Sequence, residues 1–421
     1  METLKEGPLL EQTMLSAGLD FYKPTMSQVA YEQEPNTVVT FTLKNRGEQR
    51  LADYIDPTTL AEHFEAKRQA GISKAELDYW ATIKNPDDER IFTDDYLHYM
   101  ETHTLPKVDV GINPETNDIA VESTGPWALT SLWETVIMSD INDMYFDAYI
   151  RKNNLDVTQI YEEGDRRLSE KIAILQQHPD IKITDFGTRR HFSTRWQKHV
   201  VQRLMDECPD NLVGTSNVGL SQTLELTPIG TFAHEMPMVY AGLADARGED
   251  MRQSHGKFLD TWFKKYGPYL SIALTDTFTT DFFFETFGEE RAKLWRGVRH
   301  DSGEPAPFTD RLTDFYRDAN VNPQEKTVVY SDALNTKKIL DLNDEFANQM
   351  KINNGWGTDL TNDLGIPSLN IVVKATHVYT QEGEDAELVK LSDNVGKHTG
   401  SLGKVALYEA IFTKQLMKSA A

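Results

Sequence analysis

From about residue 180 the sequence repeats one unit: a short apolar run, a polar turn, then a helix-length stretch. This rhythm restricts the fold more than any other feature. The runs are Ile181–Phe186, Asn211–Gly214, Pro228–Phe232, Ser271–Leu274, Gly297–Arg299, Thr327–Tyr330 and Lys351–Asn354. Most are far enough apart for a crossover helix, so they predict a parallel sheet with both faces covered. Seven strands, with one more from elsewhere, favour closure into an α/β barrel. The open doubly wound sheet is the alternative.

The flanking segments read differently. Residues 36–124 mix short strands (Thr37–Leu43, Lys107–Ile112, Asp118–Glu122) with polar helices. Pro126 opens a long helical segment in which Leu129, Leu132, Val136, Ile137, Ile141, Met144 and Tyr145 form one buried stripe. The tail begins with the strand-like Asn370-Ile371-Val372-Val373-Lys374 and turns at Glu382-Gly383-Glu384, which does not continue the βα rhythm. The expected division is an N-terminal α/β domain over residues 1–127, with 369–421 packing back on it, and a barrel over 128–368.

The chain has 421 residues and a formal charge of −23, which makes it a poor partner for nucleic acid or an anionic membrane. A site for phosphates must therefore concentrate cations locally. The single cysteine, Cys208, allows no internal disulfide and reads as a small buried residue in a reducing compartment. The first residues have no apolar stretch of signal-peptide length, and Phe282-Phe283-Phe284 is far too short to span a membrane. The expected location is cytoplasmic.

Polar residues collect immediately after the predicted strands. They form Asp185-Phe186-Gly187-Thr188-Arg189-Arg190, Gly214-Thr215-Ser216-Asn217, Thr231 to Glu235, Thr275-Asp276-Thr277, Arg299 to Gly303, Ser331-Asp332-Ala333 and Gly355 to Asp359. In a parallel barrel all of these lie on one rim, where barrel enzymes place their chemistry. Glycines beside hydroxyl residues admit phosphate oxygens to backbone N–H groups, and Gly357 with Thr358 follows the last strand, a common phosphate position. Arg189 and Arg299 can clamp oxyanions, while Asp301 and Asp332 suit ribose hydroxyls or Mg²⁺ held through water.

Several familiar motifs fail. Gly214 to Gly219 has P-loop spacing, but Leu220-Ser221 replaces the required lysine and hydroxyl residue. Gly355-Trp356-Gly357 lacks a third glycine, and Met238 stands where a zinc-binding His234-Glu235 motif needs its second histidine. No Cys–His cluster has metal spacing.

The ordered set of segments resembles the nicotinate phosphoribosyltransferases. It begins with Asp20-Phe21-Tyr22-Lys23-Pro24-Thr25-Met26, Leu43-Lys44-Asn45-Arg46-Gly47 and Leu132-Trp133-Glu134-Thr135. It continues through Asp185–Arg190, Gly214–Asn217, Gly230-Thr231, His234-Glu235, Arg299–Gly303 and Ser331-Asp332. It ends with Lys390-Leu391-Ser392-Asp393 and Gly396-Lys397. Pro24 departs from the family pattern, which has an apolar helix-compatible residue there, and His300 sits at a variable position.

The resemblance implies an irregular α/β barrel with an N-terminal domain to which the C-terminal segment returns. It implies that Tyr22 and Phe186 are aromatic walls around a pyridine ring, and that Arg299 and Thr231 read the nicotinate carboxylate. Arg189 becomes a phosphate contact, and Thr358 with Gly357 cradles the ribose 5-phosphate. The implied reaction joins nicotinate to 5-phosphoribosyl-1-pyrophosphate, with Mg²⁺ carried by the substrate rather than by direct protein ligands. ATP is a co-substrate that transiently phosphorylates His234, and Asp301 and Asp332 share in the catalysis. The ring nitrogen has a free lone pair, so no general base is required. Relatives specific for nicotinamide carry an aspartate at the position of Ser216, where it would repel nicotinate's carboxylate. Related enzymes are dimers in which Tyr22 can serve a neighbouring site; this chain is expected to be a monomer or a homodimer.

Plainer readings exist for several residues. Asp185 also reads as a cap for its turn, Glu134 and Asp276 as supporting ion pairs, and Lys397 as a solvated lysine. Rival functions are a nicotinamide or quinolinate phosphoribosyltransferase, an inactive nucleotide-binding barrel, and a sugar-phosphate isomerase or aldolase. Ser216 argues against nicotinamide, and quinolinate's second carboxylate calls for more cations than this rim offers. Retention of His234, Arg299 and Asp301 argues against an inactive barrel, and the lack of a compelling lysine at a strand end argues against the last rival.

Overall fold

In the computed structural model, which describes residues 14–394 and 398–413, eleven strands form two sheets. The first is antiparallel and contains β1 (Val38–Asn45), β2 (Val108–Asn113), β3 (Asp118–Pro126), β10 (Ile371–Tyr379) and β11 (Asp385–Glu387), in the order β11-β10-β1-β3-β2. β10 pairs with β1 along its whole length, from Val38 opposite Tyr379 to Asn45 opposite Ile371. The tail thus returns to the N-terminal sheet. The β10–β11 hairpin turns at Gly383, whose φ of +86° favours glycine.

The second sheet is parallel and contains β4 (Ile183–Asp185), β5 (Leu212–Thr215), β6 (Ile272–Leu274), β7 (Gly297–His300), β8 (Thr327–Tyr330) and β9 (Lys351–Trp356). Its order, β5-β4-β9-β8-β7-β6, is a ring of sequential strands closed by the β4–β9 pair and cut between β5 and β6. The expected strand Pro228–Phe232 does not form; its segment fills the cut. Ile229 N donates to Thr215 O at 2.8 Å, and Thr231 Oγ1 donates to Ile272 O at 3.0 Å, so this irregular segment touches both free edges. Pro228 has no N–H for a ladder. Gly230 packs on the Tyr22 backbone, where a Cβ would lie 2.9 Å from Tyr22 N. This close fit sets the irregularity that the sequence pattern did not show.

Crossover helices cover the ring. Thr194–Glu207 is capped by Ser193, whose hydroxyl accepts from Trp196 N, and buries Trp196, Val200, Val201 and Leu204 at helical spacing. Pro305–Asp318 starts on a proline at its first turn and buries Phe308, Leu312 and Tyr316. Pro24 is equally harmless, because it occupies the first turn of Tyr22–Gln33.

The segment expected to bury one apolar stripe behaves differently. Helix Trp133–Lys152 is buried almost all round its first half, including Ser139, Asp140, Asn142 and Asp143. Those polar groups are satisfied internally: Asp140 accepts from Lys67 at 2.7 Å, and Asp143 accepts from Thr194 N at 2.8 Å. Cys208 is buried, and burial pushes its thiol up to about 11, so it is an inert core residue. No helix among the described residues is long and apolar enough to cross a membrane.

Candidate active site

A cavity of about 980 Å³ opens at the C-terminal rim of the parallel strands and extends into the ring. Its lining includes each residue given a substrate or catalytic role from the sequence: Tyr22, Phe186, Arg189, Ser216, Thr231, His234, Arg299, Asp301, Asp332, Gly357 and Thr358. The parallel ladders explain the convergence, since residues that follow each strand must emerge on the same side. Of the motif segments, Gly396-Lys397 lies outside the described residues.

One end of the cavity is built around an imidazole. His234 precedes helix Glu235–Ala246, and its Nδ1 lies 3.0 Å from Thr277 Oγ1. Its Nε2 lies 3.1 Å from Asp301 Oδ2, 2.9 Å from Lys390 Nζ and 3.6 Å from Asp276 Oδ1. Arg299 approaches the same Asp301 oxygen at 3.7 Å, so imidazole and guanidinium meet on one carboxylate. Ser331 Oγ donates to the other oxygen of Asp301 at 2.7 Å.

Burial, with the ammonium of Lys390, pushes His234 down to about 4, which leaves it neutral with a lone pair at pH 7. Burial would raise Asp301, but Arg299, His234 and Lys390 outweigh it and hold the carboxyl well below its usual range. Asp276 is likewise held at about 2 by His234 and Lys390 against the effect of burial.

His234, Asp276 and Asp301 bring one ligand atom each within 4.8 Å of one another, a spacing compatible with a metal ion. No sequence spacing announced this cluster, because Asp276 and Asp301 follow two different strands and His234 comes from the irregular segment before helix Glu235–Ala246. Asp276 Oδ1 is buried without a hydrogen-bond partner among the described residues, whereas Lys390 Nζ already sits 2.9 Å from Asp276 Oδ2. The acidic oxygens suit Mg²⁺ better than a softer metal.

The aromatic residues belong to the same lining. Arg189 donates to the Tyr22 hydroxyl at 2.6 Å, and its guanidinium lies 5.7 Å from the Tyr22 ring centroid. Phe186 packs closely against the strand at Gly355, where a Cβ would lie 2.3 Å from the ring. Beneath them Lys23, fully buried, bridges the carboxylates of Glu134 and Glu235. Glu235 also accepts from Trp127 Nε1 at 2.7 Å.

Two expected contacts are engaged within the protein. The Thr231 hydroxyl donates to Ile272 O, so its proton is directed at the barrel wall. The Ser216 hydroxyl donates to Asp20 Oδ1 at 2.6 Å, so a carboxylate already stands at that corner. By contrast Arg299 Nε is buried and unpartnered among the described residues. Asp332, Gly357 and Thr358 also line the cavity, and Lys338 Nζ donates to the Asp332 backbone oxygen at 3.0 Å.

Sequence reasoning missed part of the cationic wall. Lys374 projects from β10 into the cavity, where burial, then Lys390 and Arg46, push its ammonium down to about 7. Arg46 and Arg190 line the same wall, and burial with Arg189 lowers Arg190 to about 10. The signal for Lys374 was a charge inside an otherwise apolar strand, Ile371 to Ala375. An acidic protein has gathered its cations here, as a phosphate site requires.

The sequence pattern of the nicotinate phosphoribosyltransferase (NAPRTase) family matches residues 181–418, and that of the NAPRTase N-terminal domain matches residues 18–142. A nicotinate phosphoribosyltransferase of Acinetobacter baylyi is 35% identical over 400 residues, covering 90% of each chain. One of Desulforapulum autotrophicum is 32% identical over 395 residues, covering 92% of this chain and 95% of its own. Among solved structures, that of the Porphyromonas gingivalis nicotinate phosphoribosyltransferase superposes with a TM-score of 0.83 at 25% identity, over 94% of this chain and 99% of the other. That of the Vibrio cholerae enzyme gives 0.82 at 26% identity, over 94% and 93%. With matches that span both sheets and the cavity between them, this chain belongs to the nicotinate phosphoribosyltransferase family.

Proposed function

We propose that the chain joins nicotinate to 5-phosphoribosyl-1-pyrophosphate in the cytoplasm, releasing pyrophosphate, and that ATP drives the reaction through a phosphate carried on His234. The observation that carries this reading is the neutral imidazole sharing the Asp301 carboxylate with Arg299 inside a cation-lined cavity.

The bond to the anomeric carbon breaks toward pyrophosphate, and the pyridine nitrogen supplies its lone pair to form the new C–N bond. Tyr22 and Phe186 hold the ring face-on, and Arg299 takes the carboxylate, using the Nε that has no partner among the described residues. With the Thr231 proton turned to Ile272 O, Arg299 is the main reader of that charge. Arg189, Arg190, Arg46 and Lys374 form a cationic wall for departing phosphate oxygens, and Gly357 with Thr358 receives the 5-phosphate. Mg²⁺ entering with the substrate phosphates would neutralise charge on the leaving group, with Asp301 and Asp332 reaching it through water.

His234 attacks the γ-phosphorus of ATP through a ring nitrogen, and ADP leaves. Lys390, 2.9 Å from Nε2, faces the charge that then develops. Water later cleaves the N–P bond, which restores the imidazole and releases phosphate.

The test is a product assay with nicotinate, nicotinamide and quinolinate, each supplied with 5-phosphoribosyl-1-pyrophosphate, Mg²⁺ and ATP. Nicotinate alone is expected to give its mononucleotide at high rate. Preference for either of the other two would overturn the reading.

A further inference from the structure

Behind the loop that carries Phe186 and Arg189 lies a chain of buried polar groups with no role in the chemistry above. Asp185, at the end of β4, is fully buried. Its Oδ1 accepts from Gly187 N at 2.8 Å; its Oδ2 accepts from Thr215 Oγ1 at 2.6 Å and from Gln197 Nε2 at 2.8 Å. Its backbone oxygen accepts from Ser216 N at 2.8 Å. One residue thereby ties together the turn after β4, the turn after β5 and helix Thr194–Glu207. Gln197 Oε1 in turn lies 2.9 Å from His191 Nδ1, and both residues are fully buried. His191 Nε2 lies 3.4 Å from Ser139 Oγ and 3.5 Å from Asp143 Oδ1.

We infer that Asp185, acting through Gln197 and His191, is the positioning residue that fixes the Phe186–Arg189 loop against substrate. The polarity of the chain is determined from one end. Burial pushes the Asp185 carboxyl above its ordinary range and its hydrogen bonds oppose that; with Gly187 N and the Thr215 hydroxyl already donating to its two oxygens, the ionised group can only accept from Gln197. Thr215 Oγ1 also accepts from Asn217 N at 3.0 Å, which leaves its proton for Asp185. Gln197 must then present its NH₂ to Asp185 and its oxygen to His191. His191 must therefore carry a proton on Nδ1. The loop is held from its other side too, since Asn142 Nδ2 donates to Arg189 O at 3.2 Å and Asn362 Nδ2 donates to Arg190 O at 2.8 Å. Gly187 leaves no slack: a Cβ there would lie 2.5 Å from Thr361 and 2.8 Å from Asp185 Oδ1.

The inference rests on the reading that Phe186 and Arg189 contact substrate, and the test separates the two. In the wild-type protein, ¹⁵N NMR of the histidine rings, with His191 assigned from a His191→Gln variant, is expected to show Nδ1 of His191 protonated. An unprotonated Nδ1 overturns the proposal. Asp185→Asn keeps the shape but offers an NH₂ where Oδ2 stood. Gln197 is expected to flip, and the His191 proton to move to Nε2. The nicotinate KM should rise about tenfold with a smaller change in kcat, as a lost positioning contact does. Gln197→Leu spares the Gly187 and Thr215 bonds and should give an intermediate rise, about threefold, without needing Asp185 to change. If Phe186→Ala raises the nicotinate KM while Asp185→Asn leaves it unchanged, the positioning role fails alone. If neither variant moves it, the reading of the loop fails with it.

Discussion

Replacing Gly355 by alanine is the sharpest structural test of the aromatic wall. The backbone at Gly355 has no positive φ, so alanine meets no conformational penalty; the added methyl collides only with a neighbour. That neighbour is Phe186, with Cε2 at 2.3 Å, Cδ2 at 2.4 Å and Cζ at 3.1 Å from the new Cβ. Ordinary contact begins near 3.4 Å, so the ring must retreat by 3.4 − 2.3, or 1.1 Å, into the space where the pyridine is to sit. Forced repacking of this kind costs about 1–3 kcal/mol of stability. A misplacement of about 1 Å at a substrate-orienting group costs on the order of 100-fold in rate. Steady-state kinetics with nicotinate varied at saturating 5-phosphoribosyl-1-pyrophosphate should therefore show kcat/KM reduced by about 10- to 100-fold, while thermal unfolding still shows a cooperative folded protein. A folded Gly355→Ala enzyme with wild-type kcat/KM for nicotinate would refute the placement of Phe186 beside the ring.

Four other outcomes follow from the same geometry. His234→Ala should stay folded and keep a basal, ATP-independent rate while losing ATP stimulation, measured as product formed with and without ATP. Ser216→Asp should cut nicotinate turnover and lower the melting temperature, because its carboxylate would meet Asp20, which now takes a hydrogen bond from Ser216 at 2.6 Å. Lys23→Met leaves the carboxylates of Glu134 and Glu235 buried without their shared cation, and should cost about 3–5 kcal/mol in urea unfolding. His255 is buried among Phe278, Phe282 and Phe283, and burial with the nearby Arg291 pushes it down to about 3. Its folded pKa lies below its unfolded one, so stability is lost as pH falls from about 6.5 toward 3. The loss by pH 5 is about 2 kcal/mol, which His255→Phe should remove.

How much of this was legible in the sequence depended on how local the cause was. Gly297 and Thr327 begin strands where the pattern placed them, because short apolar runs bounded by polar turns report burial on both faces. Pro228–Phe232 has the same local signature, yet its path is set by Tyr22 packing on Gly230, a contact between residues more than two hundred positions apart. The helix from Trp133 shows the reverse case. One buried apolar stripe was expected there, but Asp140 and Asp143 are buried too, because Lys67 and Thr194 arrive there from distant segments. The rim residues were visible because every parallel strand delivers its following turn to the same side. Lys374 and Lys390 were not assigned roles, since they reach the cavity only through the pairing of β10 with β1 and the return of the tail.

The central claim is that one neutral imidazole, seated beside Arg299 and Lys390, carries the phosphoryl group that drives transfer to nicotinate. The direct measurement is incubation with ATP labelled in its γ-phosphate, followed by acid-lability tests and peptide mapping. The account predicts an acid-labile, base-stable label on His234 that disappears in His234→Ala and is discharged by nicotinate with 5-phosphoribosyl-1-pyrophosphate. Nicotinate-dependent ATP hydrolysis that proceeds at the wild-type rate with no label at His234 would contradict it.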